Sequence, residues 1–102
     1  MKDKLRSLAA AAARVSDGAS VVMSAGMNRS PMALLRELVR RKVKSLRVVG
    51  VVGGEINIDF LVGAGSAAIV DTCSVTLGEF SRTGPNFGRY VQAGRVKALD
   101  NT

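Results

Sequence analysis

Apolar residues along the chain recur at two alternating spacings. Leu5, Leu8, Ala9, Ala12 and Val15 fall at helical intervals, and Ser16-Asp17-Gly18 then reads as a helix stop and turn. Ala19 to Ser24 is a compact apolar run of strand length. From Pro31 to Val43 the stripe Leu34, Leu35, Leu38 and Val39, with the pair Glu37–Arg41, predicts an amphipathic helix. Leu46 to Val52 is a second strand, closed by Gly53-Gly54. Ile58 to Ala64 predicts a short helix behind Asn57 or Asp59 that stops at Gly63 or Gly65. Ala68 to Leu77 contains a third strand, placed most firmly on Cys73 to Leu77. A loop from Gly78 to Pro85 leads to a helix over Asn86 to Ala93 with Gly94 as its stop, and Val96 to Leu99 is a short fourth strand.

The order is therefore α-β-α-β-α-β-α-β, which predicts an α/β fold: a small, open, mostly parallel four-stranded sheet flanked by helices. Strands apolar throughout, separated by helices, argue for a sheet covered on both sides. No linker, low-complexity stretch or repeat divides the chain, so residues 1–102 read as a single domain. Right-handed crossovers put three strand-to-helix loops on one rim, Ser24 to Ser30, Gly53 to Asn57 and Gly78 to Pro85. In open parallel sheets ligands bind at that rim.

The first of these loops carries the most chemistry. Ser30 is suited to cap the following helix with its hydroxyl, and Pro31 to take the first helical position, where no N–H is needed. The helix start would then present free backbone N–H groups and a positive dipole end over the loop. Gly26 permits close backbone approach and Arg29 adds a full charge. Ser24, Ala25, Gly26, Asn28, Arg29 and Ser30 thus form a candidate anion or oxyanion loop, although a plain strand-to-helix connection uses nearly the same residues. Gly53, Gly54 and Glu79 are secondary candidates on the rim. Gly53-Gly54 also reads as a simple turn, and Glu79 as a solvated carboxylate facing Arg82.

Composition removes several chemistries. Nearly half of the residues are apolar but only Phe60, Phe80, Phe87 and Tyr90 are aromatic, so the core is aliphatic, with Phe87 and Tyr90 read as part of it. Without a histidine there is no Ser-His or Cys-His pair and no His-ligated metal, and no metal site is expected. The single cysteine, Cys73, reads as a buried strand thiol and fits a reducing compartment. No apolar run has the length of a membrane span, and Met1-Lys2-Asp3-Lys4-Leu5-Arg6 is too polar for a signal peptide, so a cytoplasmic location is expected. The formal net charge of +7 attracts polyanions in general. Many cations, Arg36, Arg40, Arg41, Lys42 and Lys44, sit in or beside the second helix and read as a solvated helix face.

Several strings, taken together, resemble the N-terminal part of the A subunit of family I CoA-transferases, as in glutaconate CoA-transferase. They are Asp17-Gly18-Ala19-Ser20-Val21, Asn28-Arg29-Ser30-Pro31-Met32-Ala33-Leu34-Leu35-Arg36-Glu37-Leu38, Leu46-Arg47-Val48-Val49-Gly50, Leu61-Val62-Gly63-Ala64-Gly65, and Pro85-Asn86-Phe87 followed by Ala93-Gly94-Arg95-Val96. The resemblance covers nearly the whole chain. It implies transfer of coenzyme A between carboxylic acids through a glutamyl-CoA thioester, with a glycine loop of the A half supplying oxyanion donors. That loop falls on Met23-Ser24-Ala25-Gly26, where the family usually reads Gly-Gly-Phe-Gly, so one glycine of three remains. The family's nucleophilic glutamate lies in a Glu-x-Gly motif of the B half, which Glu55 and Glu79 do not match.

The expectation is therefore a truncated CoA-transferase-like domain with no catalytic residue of its own, acting in CoA or acyl-CoA binding or in assembly. No tightly bound cofactor is expected; coenzyme A or acyl-CoA is the implied ligand. Two alternatives are a half-enzyme completed by a separate CoA-transferase subunit, and a small basic nucleotide- or nucleic-acid-binding protein, nucleic acid being the less favoured partner. An open sheet that stops short leaves apolar surface or a strand edge exposed, which predicts a homo-oligomer, a dimer or tetramer.

Overall fold

A computed structural model describes residues 3–24 and 26–100. The elements are α1 (Leu8–Ala12), β1 (Ser20–Ser24), a single 3-10 turn (Met27–Arg29), α2 (Met32–Arg40), β2 (Leu46–Val51), α3 (Ile56–Gly63), β3 (Ala67–Thr72), α4 (Pro85–Gln92) and β4 (Lys97–Asp100). The strands form one parallel sheet in the order β1-β2-β3-β4. The α/β class, the alternation and the parallel sheet are as the sequence predicts.

The covering of the sheet differs from expectation. Because each strand lies beside its predecessor, right-handed crossovers carry α2, α3 and α4 to the same face. The helices pack in a row there, α1 on α2, α2 on α3 and α3 on α4. Strand residues of one parity, Met23, Val48 and Val70, enter the core with Leu35, Leu38, Ile58, Leu61 and Val62. Residues of the other parity, Val22, Arg47, Val49, Asp71 and Leu99, lie on the opposite face, where Val22 is 65% exposed and Arg47 forms an ion pair across to Asp71. Apolar strands alone do not say on which side the helices fall; strand order does.

Two local expectations are also corrected. β3 is Ala67–Thr72, and of Cys73–Leu77 only Val75 reaches the sheet, through a single bridge to Gly54. The β-branched segment after Thr72 runs past the sheet, and Cys73 is consequently exposed rather than buried in a strand. On α2, Glu37 pairs with Arg40 one turn on, not with Arg41, which has already left the helix as its C-cap. Phe87 and Tyr90 pack against the core as predicted.

The helix-to-strand turns share one backbone device. In α3, Ser66 N–H donates to Leu61 O (3.0 Å) and Gly65 N–H to Val62 O (3.0 Å); in α4, Arg95 N–H donates to Tyr90 O (2.9 Å) and Gly94 N–H to Val91 O (3.1 Å). In α2, Val43 N–H donates to Leu38 O (3.1 Å) and Lys42 N–H to Val39 O (3.0 Å). The device needs a left-handed residue, which is Gly65 (φ 79°) and Gly94 (φ 73°) in two cases. The third uses Lys42 at φ 58°, and Ser45 is left-handed (φ 59°) in the same turn. An L-residue there costs about 1–2 kcal/mol.

Candidate functional site

Strand direction places the C-terminal ends of β1, β2 and β3 on one rim, and the three loops named from the sequence meet there. The first begins at Ser24. Ala25 lies outside the described residues. Gly26 has φ 120°, a conformation closed to ordinary side chains, and a Cβ on it would meet the Arg29 side chain. A 3-10 turn over Met27–Arg29 then separates the loop from α2.

Ser30 does not cap α2. Its hydroxyl donates back to Gly26 O at 3.1 Å, and Pro31 occupies the N-cap position rather than the first helical one, with no side-chain cap. The inserted 3-10 turn explains the change, because it moves Ser30 behind the helix start and aims its hydroxyl at the loop. Helix α2 therefore opens its first turn without a capping side chain, and Asn28 and Arg29 are exposed beside it. Backbone donors and one guanidinium at a helix start can hold an anionic or developing oxyanionic group.

Asn57 is the residue whose role the sequence did not reveal. It is fully buried in the first turn of α3, and its Nδ2 donates to Ser24 O at 3.2 Å. Its Oδ1 accepts from Glu55 N–H (3.0 Å) and Ile58 N–H (2.8 Å). One amide thus ties the end of β1 to the β2–α3 loop and fixes how the two loops face each other. An asparagine just past a Gly-Gly turn was the available signal, but it reads equally as a helix cap.

Gly53 and Gly54 are held by packing. A Cβ on Gly54 would come within 2.3 Å of Ile58 Cδ1, Gly54 N–H donates to Ser74 O (2.8 Å), and Gly54 O accepts from Thr76 N–H (3.0 Å). With its backbone groups so engaged, Gly54 is a close-packed extension of the sheet. Glu79 sits exposed in a tight turn beside Phe80, and the ion pairs among the described residues do not include Glu79–Arg82.

The third loop is anchored by Asp59. This buried carboxylate accepts Phe87 N–H at 2.8 Å and Asn86 Nδ2 at 3.0 Å, capping α4 from α3. Gly84 gives it room, since a Cβ there would lie 2.4 Å from Asp59 Oδ1. Between β3, β4 and α4 lies a cleft of about 220 Å³ lined by Thr72, Cys73, Ser74 and Phe87 among others. The Cys73 thiol bonds Val52 O across the rim. Among the described residues no group of His, Cys, Asp and Glu is arranged to hold a metal ion, and no helix is long and apolar enough to cross a membrane.

Residues 5–99 match the family described as coenzyme A transferase. The chain belongs to that family. Among solved structures, a variant of the decarboxylase AibA/AibB superposes with a TM-score of 0.78 at 26% identity, over 95% of this chain and 38% of that one. Glutaconate coenzyme A-transferase from Acidaminococcus fermentans superposes with a TM-score of 0.82 at 22% identity, over 98% of this chain and 32% of that one. This CoA-transferase-family chain thus spans about a third of the length of the structures it resembles. No curated protein matches it. The family I resemblance and the fold drawn from the sequence are borne out.

Proposed function

We propose that the chain is a coenzyme A- or acyl-CoA-binding module of a CoA-transferase-type assembly, with no catalysis of its own. The observation that carries this is the β1–α2 connection. A family member keeps, at the carboxyl end of β1, a left-handed Gly26, an uncapped helix start and Arg29 side by side. Such a group suits the phosphates of CoA or the carbonyl oxygen of a thioester as negative charge grows on it.

The family reaction needs a carboxylate that attacks the thioester carbon and expels the CoA thiolate. On this rim Asp59 is committed to the start of α4, half-buried Glu55 stands at the N-cap of α3 with no side-chain cap bond, and Glu79 stands in solvent with nothing to orient it. The attacking carboxylate is therefore assigned to residues other than these 102. A second reading, the half-enzyme completed by a separate subunit, draws on Val51, Val52 and Phe80. All three are exposed apolar residues on loops or strand ends of the same rim, with Val52 and Phe80 each 78% exposed, which suits contact with another polypeptide. The uncovered sheet face favours self-association into a dimer or tetramer in the same way.

A thermal-shift titration tests the proposal. CoA and acetyl-CoA are expected to raise Tm, since a ligand at about 100 times Kd stabilises by about 2.7 kcal/mol. The Arg29→Ala variant should fold normally and lose most of that shift. No response to millimolar CoA would defeat the binding reading. Thioester exchange by the chain alone would defeat the non-catalytic reading, whereas exchange only after adding a carboxylate-bearing subunit supports the half-enzyme. Light scattering that finds a monomer at micromolar concentration would remove the self-association.

A further inference from the structure

We propose that the opposite rim, where the strands begin, is a docking surface for the acidic face of a partner protein. The fold gathers cations there that are scattered in the sequence. Arg14 stands on the way from α1 to β1; Arg41, Lys42 and Lys44 lie between α2 and β2; Arg95 precedes β4 and Lys97 opens it. All six are exposed. Asp17 also lies here, its Oδ1 accepting the Lys44 backbone N–H, and Asp3 shares a cavity with Arg14. The ion pairs among the described residues are Arg40–Glu37 and Arg47–Asp71, so none of the six belongs to one. On the candidate-site rim, by contrast, Arg29 and Arg82 are balanced by Glu55 and Glu79. Positive charge therefore concentrates at the end of the sheet away from the candidate loops.

Backbone conformation gives an independent reason. Of three turns with the same hydrogen-bond pattern, only the α2–β2 turn, which carries three of the six cations, places a lysine where the others have glycine. Glycine would relax that turn, and lysine holds a charge there against local strain. Unrelieved strain in a surface turn points to a role outside folding.

The shape favours protein over nucleic acid. Helices end at this rim rather than lying across it, so nothing projects to enter a duplex groove. Its aromatic ring, Tyr90, is half-buried beneath the Arg95 guanidinium at 5.5 Å, leaving no free platform on which a base could stack. Four strands span only about 15 Å, a width suited to a helix or turn bearing several carboxylates.

The test is fluorescence anisotropy with a labelled oligo-glutamate peptide, at low and at physiological salt. Binding is expected to weaken with salt, and the Lys42→Gly/Lys44→Ser double variant to bind about tenfold more weakly. The Lys42→Gly single variant should at the same time raise Tm, which separates lost binding from lost structure. An Arg36→Ser/Arg82→Ser variant removes the same charge elsewhere and should stay within about twofold of the parent. Equal losses in the two double variants, no binding at low salt, or tighter binding of a single-stranded oligonucleotide of equal charge at the same residues would each overturn the proposal.

Discussion

The two rims of the sheet are built from different materials. At the candidate-site rim the connections are locked by buried, largely uncharged contacts: Asn57 on Ser24 O, Thr72 on Gly50 O, Gly54 under Ile58, and Asp59 on the start of α4. At the opposite rim the turns are held by repeated helix-end hydrogen bonds and carry exposed cations. One end is tied by hydrogen bonds between loops and is nearly neutral, while the other is simple in backbone and rich in charge. Precise positioning needs buried, satisfied polar groups, whereas long-range attraction needs only solvated charge. A domain that must both present a site and attract a partner can divide the two tasks between the ends of its strands.

The sharpest way to break this contrast is to disturb the locked rim. A Cβ on Gly50 would stand 2.7 Å from both Gly53 O and Thr72 Oγ1, so Gly50→Ala should destabilise by about 2–3 kcal/mol, read as a lower urea midpoint. Asn57→Ala removes the partner of the buried Ile58 N–H and of the part-buried bonds to Glu55 N–H and Ser24 O, and is expected to cost about 1–3 kcal/mol, with faster hydrogen exchange in both loops it joins. If that exchange stays unchanged, Asn57 does not couple the loops.

The cationic rim should respond with the opposite sign. Lys42→Gly is expected to stabilise by about 1 kcal/mol, or about 4–8 °C in Tm, and Gly94→Ala to destabilise by a similar amount. Matching signs in a thermal melt would refute the account of the turns. The smallest effect belongs to the exposed Glu37–Arg40 pair, whose loss in Arg40→Ala should change stability by only about 0.3–0.5 kcal/mol and less at high salt.

The candidate site was legible only in outline. The loop of Ser24, Gly26 and Arg29 could be located because glycine, proline and a helical stripe follow an apolar run. The redirection of the Ser30 hydroxyl could not, since it depends on a 3-10 turn that no residue type in Met27–Arg29 demands. The exposure of Cys73 is not legible in the sequence, because strand propensity continues past Thr72 whereas the chain leaves the ladder there and returns only through the Gly54–Val75 bridge.

Periodicity, turn residues and local strings were enough to fix the alternation of helices and strands, the parallel sheet, the aliphatic core and the family. Tertiary structure alone decided that the helices share one face and that Asn57 joins two loops. It also decided that cations from three separate turns share one rim. Those outcomes depend on strand order and on contacts between residues distant in the chain, and no local pattern encodes them.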